Sequence, residues 1–301
     1  MLKIYKDYDI IHFHTSIQMY KARKFLETYE GQVLFTTHSP MLLSKEMKED
    51  ASILSQKIFT YFFKKLPIVD KYAFEHANYI IFPCEEAEEP YFGEKVYEKA
   101  KKDKIFKYIS TGVVDCKEKV KIDYITFRQQ KNIPNDAFVF SYVGRHNEVK
   151  GYNDLKKAAK IILNKYSNVY FLIAGEESPI KGLDHPRWIE TGYTKDPYSL
   201  INASDVFILP NKQTYFDLVF LEVISIGKKM IVSDTGGNKY FKKYNSKDIL
   251  YFNTIEKLTE QMKKVIDNSS KKSNTRNIFL NEFTCEMFAK RYVKLLNCLS
   301  D

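Results

Sequence analysis

Residues 137–155 read AFVFSYVGRHNEVKGYNDL. The first seven are almost wholly apolar and do not alternate with polar residues. A run of this kind reads as a strand buried on both faces of a parallel sheet. It stops at Gly144, Arg145 follows, and Lys150-Gly151 opens an amphipathic stretch over 151–165. A buried strand, a glycine turn and a helix start together bring backbone N–H groups toward one point. Two cations converge there, and the combination predicts a site for a diphosphate. The simpler alternative is an ordinary turn with an exposed arginine and lysine.

The same grammar extends in both directions. Further short apolar runs occur at 9–14 (DIIHFH), 32–37 (QVLFTT), 78–83 (NYIIFP), 105–109, 168–175 (NVYFLIAG), 187–191, 205–210 (DVFILP), 229–233 and 249–252. Helical patterns at 216–227 and 255–267 lie between them. Strand–helix repetition predicts an α/β fold with parallel sheets and right-handed crossovers. The runs form two series, separated by a polar, weakly patterned stretch at 116–136. The expected organisation is a first domain at 1–115, a linker with a connecting helix at 116–136, a second domain at 137–281 and a closing helix at 282–301. Two doubly wound halves place binding at the carboxyl ends of their strands.

Composition removes several classes. The chain has 301 residues and a formal charge of +9, which suits an anionic partner without choosing one. The four cysteines form no C-x-x-C pair, so a disulfide scaffold or structural zinc site is not expected. The opening residues 1–7 lack a signal-peptide pattern, and no apolar run approaches the ~18 residues that cross a bilayer. Lysines and arginines are dispersed and no nucleic-acid motif occurs, so a nucleic-acid partner is not expected. Asp7-Tyr8-Asp9 is a D-x-D, but it precedes its strand and reads as a solvated strand start, not a metal site. Residues 52–77 mix Ile58, Phe59, Tyr61, Phe62 and Phe63 with Lys57, Lys64, Lys65 and Lys71. They form either a helix lying on an anionic membrane or a helix packed on the sheet with a solvated lysine face. The second is the simpler, because the helix has a sheet to cover.

Residues 205–240 hold the second chemical signal. DVFILP is followed by TYFDLVFLEVISIG, a turn and then a helix carrying Glu222 and closed by Gly227. KKMIVSDTGGNKYF adds a strand and a Gly236-Gly237 turn. Glu222 sits among Val219, Phe220, Leu221, Val223 and Ile224. A carboxylate in that company needs a partner, and a ribose diol would serve. The alternative is a surface carboxylate on an amphipathic helix.

The order VGR (143–145), KG (150–151), LIAG (172–175), LVFLE (218–222) and SDTGG (233–237) resembles the retaining nucleotide-sugar glycosyltransferases of family 4, also called glycosyl transferases group 1. The resemblance covers almost the entire chain. DIIHFHTS (9–16), VLFTTHSP (33–40), HANYIIFPCEEA (76–87) and STGVVD (110–115) are similar to segments of that family's first domain. The resemblance implies the GT-B fold: two Rossmann-like domains facing a cleft, with a last helix crossing back to the first. It implies a nucleotide-diphosphate sugar as donor, with UDP favoured over GDP, no essential metal, and a glycan or lipid-linked acceptor. It assigns Arg145 and Lys150 to the donor diphosphate, beside Gly144 and the backbone around Asp217, Leu218 and Val219. It assigns Glu222 to the ribose, His38 to the transferred sugar and His14 to the acceptor or sugar side. His76, His146 and His185 are expected to be ordinary surface or turn residues.

Two departures from the family pattern stand out. The first glutamate of its E-x7-E motif falls at Thr214, which keeps a hydroxyl near the donor but no charge; Asp217 is a candidate substitute. The first domain also lacks about two βαβ-sized pieces of ~30 residues each. The chain is then a fragment, a mis-called start, half of a two-chain enzyme whose partner completes the first domain, or a shortened protein that no longer catalyses. The expected function is sugar transfer in surface polysaccharide assembly at the cytoplasmic face of the membrane. The alternative is a non-catalytic subunit that stabilises a partner transferase.

Overall fold

The computed structural model describes residues 6–268 and 273–300. The first five residues of the leader reading lie outside the described residues. The chain divides into two units. The described residues up to Ser110, with those from Ala289 onward, form the first, and those within Thr111–Phe288 form the second.

In the first unit β1 (Ile10–Phe13), β2 (Gln32–Thr36), β3 (Tyr79–Phe82) and β4 (Ile105–Tyr108) lie side by side in that order, all parallel. The two inner strands are buried over most of their length, whereas β1 and β4 at the edges are half-buried or exposed. Phe35, Phe74, Phe82 and Tyr91 form the aromatic centre of the unit. Leu295, Leu296 and Leu299 of the last helix, Cys285–Ser300, pack with Leu34 and Ile81 on the sheet.

The carboxyl-terminal half of residues 52–77 follows the packed-helix reading. The segment is two helices, Ile53–Ile58 and Thr60–His76. Leu66, Val69, Asp70, Ala73 and Phe74 recur at helical spacing and are buried against the sheet. Ahead of them Leu54, Ile58, Phe59, Tyr61 and Phe62 are exposed.

In the second unit β5 (Phe138–Val143), β6 (Val169–Ala174), β7 (Trp188–Glu190), β8 (Val206–Leu209), β9 (Lys229–Ser233) and β10 (Ile249–Phe252) form one parallel sheet in the order β10-β9-β8-β5-β6-β7. Strand order therefore reverses between β5 and β8, the doubly wound arrangement. Beyond their carboxyl ends lies the crevice where such sheets bind ligands. Phe140 stacks on Phe171, and Phe171 on Trp188, with ring centroids 5.1 and 5.3 Å apart.

Residues 116–136 do not form a free connector. They fold into the second unit, where the Cys116 N–H donates to Ser225 Oγ. The helix Tyr124–Gln130 buries Arg128 completely. Its guanidinium donates to the carbonyls of Ala203 (2.8 Å) and Ala137 (2.7 Å) and to the Asp205 carboxylate (2.8 Å). A buried cation of this kind is tolerated because each face of the guanidinium fork finds an acceptor.

Candidate glycosyl-donor site

The loop after β5 is built around backbone bonds. The Gly144 N–H donates to the Ala174 carbonyl at 3.0 Å, and the Tyr142 hydroxyl donates to the Arg145 carbonyl at 2.7 Å. Arg145 is thereby presented on the surface with its side chain exposed. At Gly151 the backbone is left-handed (φ 64°), and a Cβ would run into the Pro210 carbonyl oxygen. Only glycine meets both demands, so this position locks the β5 loop against the end of β8. The helix Tyr152–Lys165 starts there.

From the other side of the switch point comes the helix Leu218–Ile226. Asp217 precedes it, and no side chain caps the first N–H groups. The amino end thus offers the Leu218 and Val219 amides and the positive end of the helix dipole. Asp217 accepts from Lys150 Nζ at 3.2 Å and from Asn211 Nδ2. The expected residues Gly144, Arg145, Lys150, Asp217, Leu218 and Val219 are therefore all carried by the loops that follow β5 and β8.

Glu222 lies one turn further along. It is half-buried, and burial raises its carboxyl above the usual carboxylate range, opposed by a bond from Tyr198 Oη (3.3 Å). It is neither a free surface carboxylate nor fully satisfied, so it retains acceptor capacity for a ligand hydroxyl.

Thr214 is placed differently from expectation. Its side chain is 2% exposed. The hydroxyl donates to the Thr235 carbonyl (3.1 Å) and lies 3.4 Å from the Asn238 N–H, which donates to it. Both hydrogen-bonding roles are spent on the backbone that joins this loop to the Gly236 turn. Thr214 thus ties this loop to the Gly236 turn.

In the first unit three histidines cluster where β1 and β2 end. His14 Nδ1 and His38 Nε2 are 2.8 Å apart. His12 is held between Thr36 Oγ1 (2.8 Å) and the Tyr292 hydroxyl (2.7 Å), and its ring centroid lies 4.2 Å from that of His14. Burial, with the neighbouring imidazoles, lowers His12 to about 4; burial also lowers His14 and His38. The shifts favour the neutral imidazoles, in which one ring N–H can donate to the next ring, as the 2.8 Å His14–His38 contact requires. His38 has a left-handed backbone (φ 56°), an uncommon state for this residue type. A hollow of about 350 Å³ beside it is lined by His14, Ser16, His38, Ser39, Asp70 and Tyr91, among others. The Tyr91 hydroxyl, bonded to the Ser39 carbonyl (2.7 Å) and to Thr37 and Met41, fixes the loop that carries His38.

Residues 123–279, slightly more than half of the chain, match the family described as glycosyl transferases group 1. The chain belongs to that family. It is similar to the capsular polysaccharide biosynthesis glycosyltransferase CapM of Staphylococcus aureus, with 30% identity over 34% of this chain and 30% of that protein. It is 29% identical to the UDP-Gal:alpha-D-GlcNAc-diphosphoundecaprenol alpha-1,3-galactosyltransferase of Escherichia coli, over 50% of this chain and 43% of that one. The match thus spans less than half the length of either relative. Among solved structures, Anabaena Alr3699/HepE in complex with UDP superposes with a TM-score of 0.73 over 99% of this chain and 80% of that chain, at 16% identity. That likeness places the two Rossmann-like units in the GT-B fold.

Sequence reading missed several residues that contribute to the candidate site. His146 lies in the turn after β5, as expected, but it is not a surface residue: it is wholly buried, stacked on Tyr152 at 3.9 Å between ring centroids. Neither ring nitrogen has a hydrogen-bond partner among the described residues, although Nε2 lies 3.9 Å from the Glu190 carboxylate, and burial lowers its pKa. It packs beneath the Arg145 loop, next to Glu190. His12, Asn211 and Tyr198 were also overlooked. His12 was detectable, since in I-H-F-H it shares a strand face with His14. Tyr198 carried no local signal, because its contact with Glu222 spans two helices.

Proposed function

We propose that this chain transfers a sugar from a nucleotide-diphosphate donor to a hydroxyl of a glycan or lipid-linked saccharide, with retention at the anomeric carbon, during surface polysaccharide assembly. The observation that carries the reading is the Lys150–Asp217 pair at the uncapped amino end of Leu218–Ile226, at the switch point of the second sheet, with Arg145 exposed on the loop after β5. Fixed cations and amides aimed at one point stabilise charge that grows on a departing diphosphate. Glu222 accepts from the ribose hydroxyls. His38, with His14 beside it, serves the transferred sugar. The bond from the anomeric carbon to the diphosphate breaks, the acceptor oxygen bonds on the same face, and its proton passes to the departing phosphate oxygen. Arg145 and Lys150 carry the role that a metal plays in other transferases.

A uridine donor is supported by the UDP bound in the Anabaena structure and by the UDP-Gal named for the Escherichia coli relative. A polysaccharide role is supported by the name of the Staphylococcus aureus relative, and a lipid-linked acceptor by that of the Escherichia coli relative. The test is incubation with a panel of UDP-hexoses and a lipid-linked saccharide, with nucleotide release and the product's anomeric configuration followed by NMR. Nucleotide release with a retained configuration supports the reading; an inverted product contradicts it. The second reading, a non-catalytic subunit, draws on Thr214, whose hydroxyl is committed to the backbone where the family carries a carboxylate. Donor binding without turnover, at any acceptor, would favour it.

A further inference from the structure

The helix Pro197–Ala203 begins at Asp196, whose side chain accepts from the Ser199 N–H at 3.1 Å. A proline at the first helical position suits such a start, since its φ is preset and it has no N–H to leave unpaired. The helix is pinned from outside as well. Ser199 Oγ accepts from the Lys121 and Ile122 N–H groups at 3.0 and 2.9 Å. Tyr198 lies between these fixed points, and its hydroxyl donates to Glu222 Oε1 at 3.3 Å.

Glu222 is held through its backbone too. Its carbonyl accepts from Ser225 Oγ at 2.6 Å, and Ser225 Oγ in turn accepts from the Cys116 N–H at 3.2 Å. The turn Cys116–Lys119 thereby walls another side of the same site. The buried Cys116 thiol lies beside the Tyr198 hydroxyl. Lys119 is exposed, with Nζ 5.6 Å from the centre of the Tyr198 ring, and its charge acts on Glu222. Arg276, on the neighbouring helix Thr275–Glu282, is committed elsewhere: it donates to both oxygens of Asp115 (3.0 and 2.6 Å) and to the Ser225 carbonyl.

A carboxylate has about four acceptor positions. Among the described residues, only the Tyr198 hydroxyl donates to the Glu222 carboxylate, and it reaches one oxygen. Oε2 and the rest of Oε1 are left for a ligand. Two acceptor atoms on one planar group fit two adjacent hydroxyls.

We propose that Tyr198 is a positioning residue for the donor: its hydroxyl fixes Glu222 Oε1, so that the carboxylate meets both vicinal hydroxyls of a ribonucleotide and selects ribose over sugars that lack them. This rests on the reading of Glu222 as the ribose acceptor and names the group that aims it. The electrostatics act in the same direction. Burial pushes the Glu222 carboxyl up, and the Tyr198 bond and the Lys119 charge oppose that push. Both neighbours therefore favour the ionised form, which only accepts.

The test is calorimetric titration of the full chain with UDP and with 2′,3′-dideoxy-UDP across a range of pH. The ratio of the two affinities isolates the ribose hydroxyls, because titration of the phosphates cancels. A preference for UDP of about tenfold or more is expected where Glu222 is ionised. It should fade as pH falls and Glu222 takes up a proton. Tyr198→Phe keeps the ring and removes the donor, so the fade should begin about one pH unit higher, with the preference largely recovered at alkaline pH. Tyr198→Leu should shift it equally, which covers a phenylalanine that packs poorly. Lys119→Gln should shift it less, and salt should erase that difference. A preference that Tyr198→Phe lowers equally at every pH would make the residue merely structural, and an unshifted fade would remove it from the site; either overturns the proposal. If the parent binds both nucleotides alike and Glu222→Gln changes nothing, the ribose assignment itself fails and the proposal falls with it.

Discussion

Lys150 Nζ lies 3.2 Å from Asp217 Oδ1, so the cation expected to meet the donor diphosphate is paired with a carboxylate at the amino end of the Leu218–Ile226 helix. A phosphate arriving there would compete with Asp217 for both the ammonium and the helix amides. Lys150→Ala is therefore expected to weaken UDP binding by at least about tenfold, the scale of a lost charge-assisted bond. Asp217→Asn removes the competitor and is expected to strengthen binding a few-fold at low salt. Titration of both variants checks this; weaker binding by Asp217→Asn would mean that the carboxylate itself holds the ligand.

Gly151→Ala addresses the contact between the β5 loop and β8. The substitution adds a Cβ at a left-handed position against the Pro210 carbonyl. Strain at such a site costs on the order of 1–3 kcal/mol, and the steric contact adds to it. The expected result is a lower urea midpoint and loss of UDP binding, measured by circular dichroism and calorimetry. A neutral effect would show that the two loops need not touch.

Thr214→Val tests the assignment of that hydroxyl to the loop. Leaving the Thr235 carbonyl and Asn238 N–H without their partner should cost about 1–3 kcal/mol. Thr214→Glu, which restores the family's carboxylate, should destabilise more, because the position is buried. Urea unfolding of both variants reads this out. A Thr214→Glu protein as stable as the parent would show that the site opens to solvent.

The histidine cluster predicts the acid limb of stability. His12 is lowered from 6.5 to about 4 in the folded chain, by burial first and by His14 and His38 second. Between those values the unfolded chain takes a proton that the folded one refuses. The contribution is fully present above pH 6.5 and is lost as pH falls through that window toward 4. After allowance for partial exposure it amounts to about 1–2 kcal/mol, with His14 and His38 acting in the same direction. His12→Asn should flatten the dependence of the urea midpoint on pH in this range; an unchanged slope would remove His12 from the account.

Each of the ten strands among the described residues lies within a run read from sequence, because the inner strands of a parallel sheet are covered on both faces and must be apolar along their length. The Gly144, Arg145 and Lys150 turn was legible for a similar reason, as glycine and charge interrupt such runs only where the backbone turns. What escaped reading depends on contacts far apart in the chain. Arg128 looks like a solvated charge in a polar stretch, and it is buried because carbonyls of Ala137 and Ala203 happen to face it. His146 reads as a loop residue until Tyr152 covers it. Residues 52–77 gave two readings because the apolar residues of the first half are exposed while those of the second half are buried.

The most direct measurement is calorimetric titration of the whole chain with UDP and GDP, repeated with Arg145→Ala and Glu222→Ala. The account predicts affinity for UDP on the order of micromolar, lost in both variants while their melting temperatures hold. A folded protein that binds neither nucleotide, or variants that bind as the parent does, would contradict it.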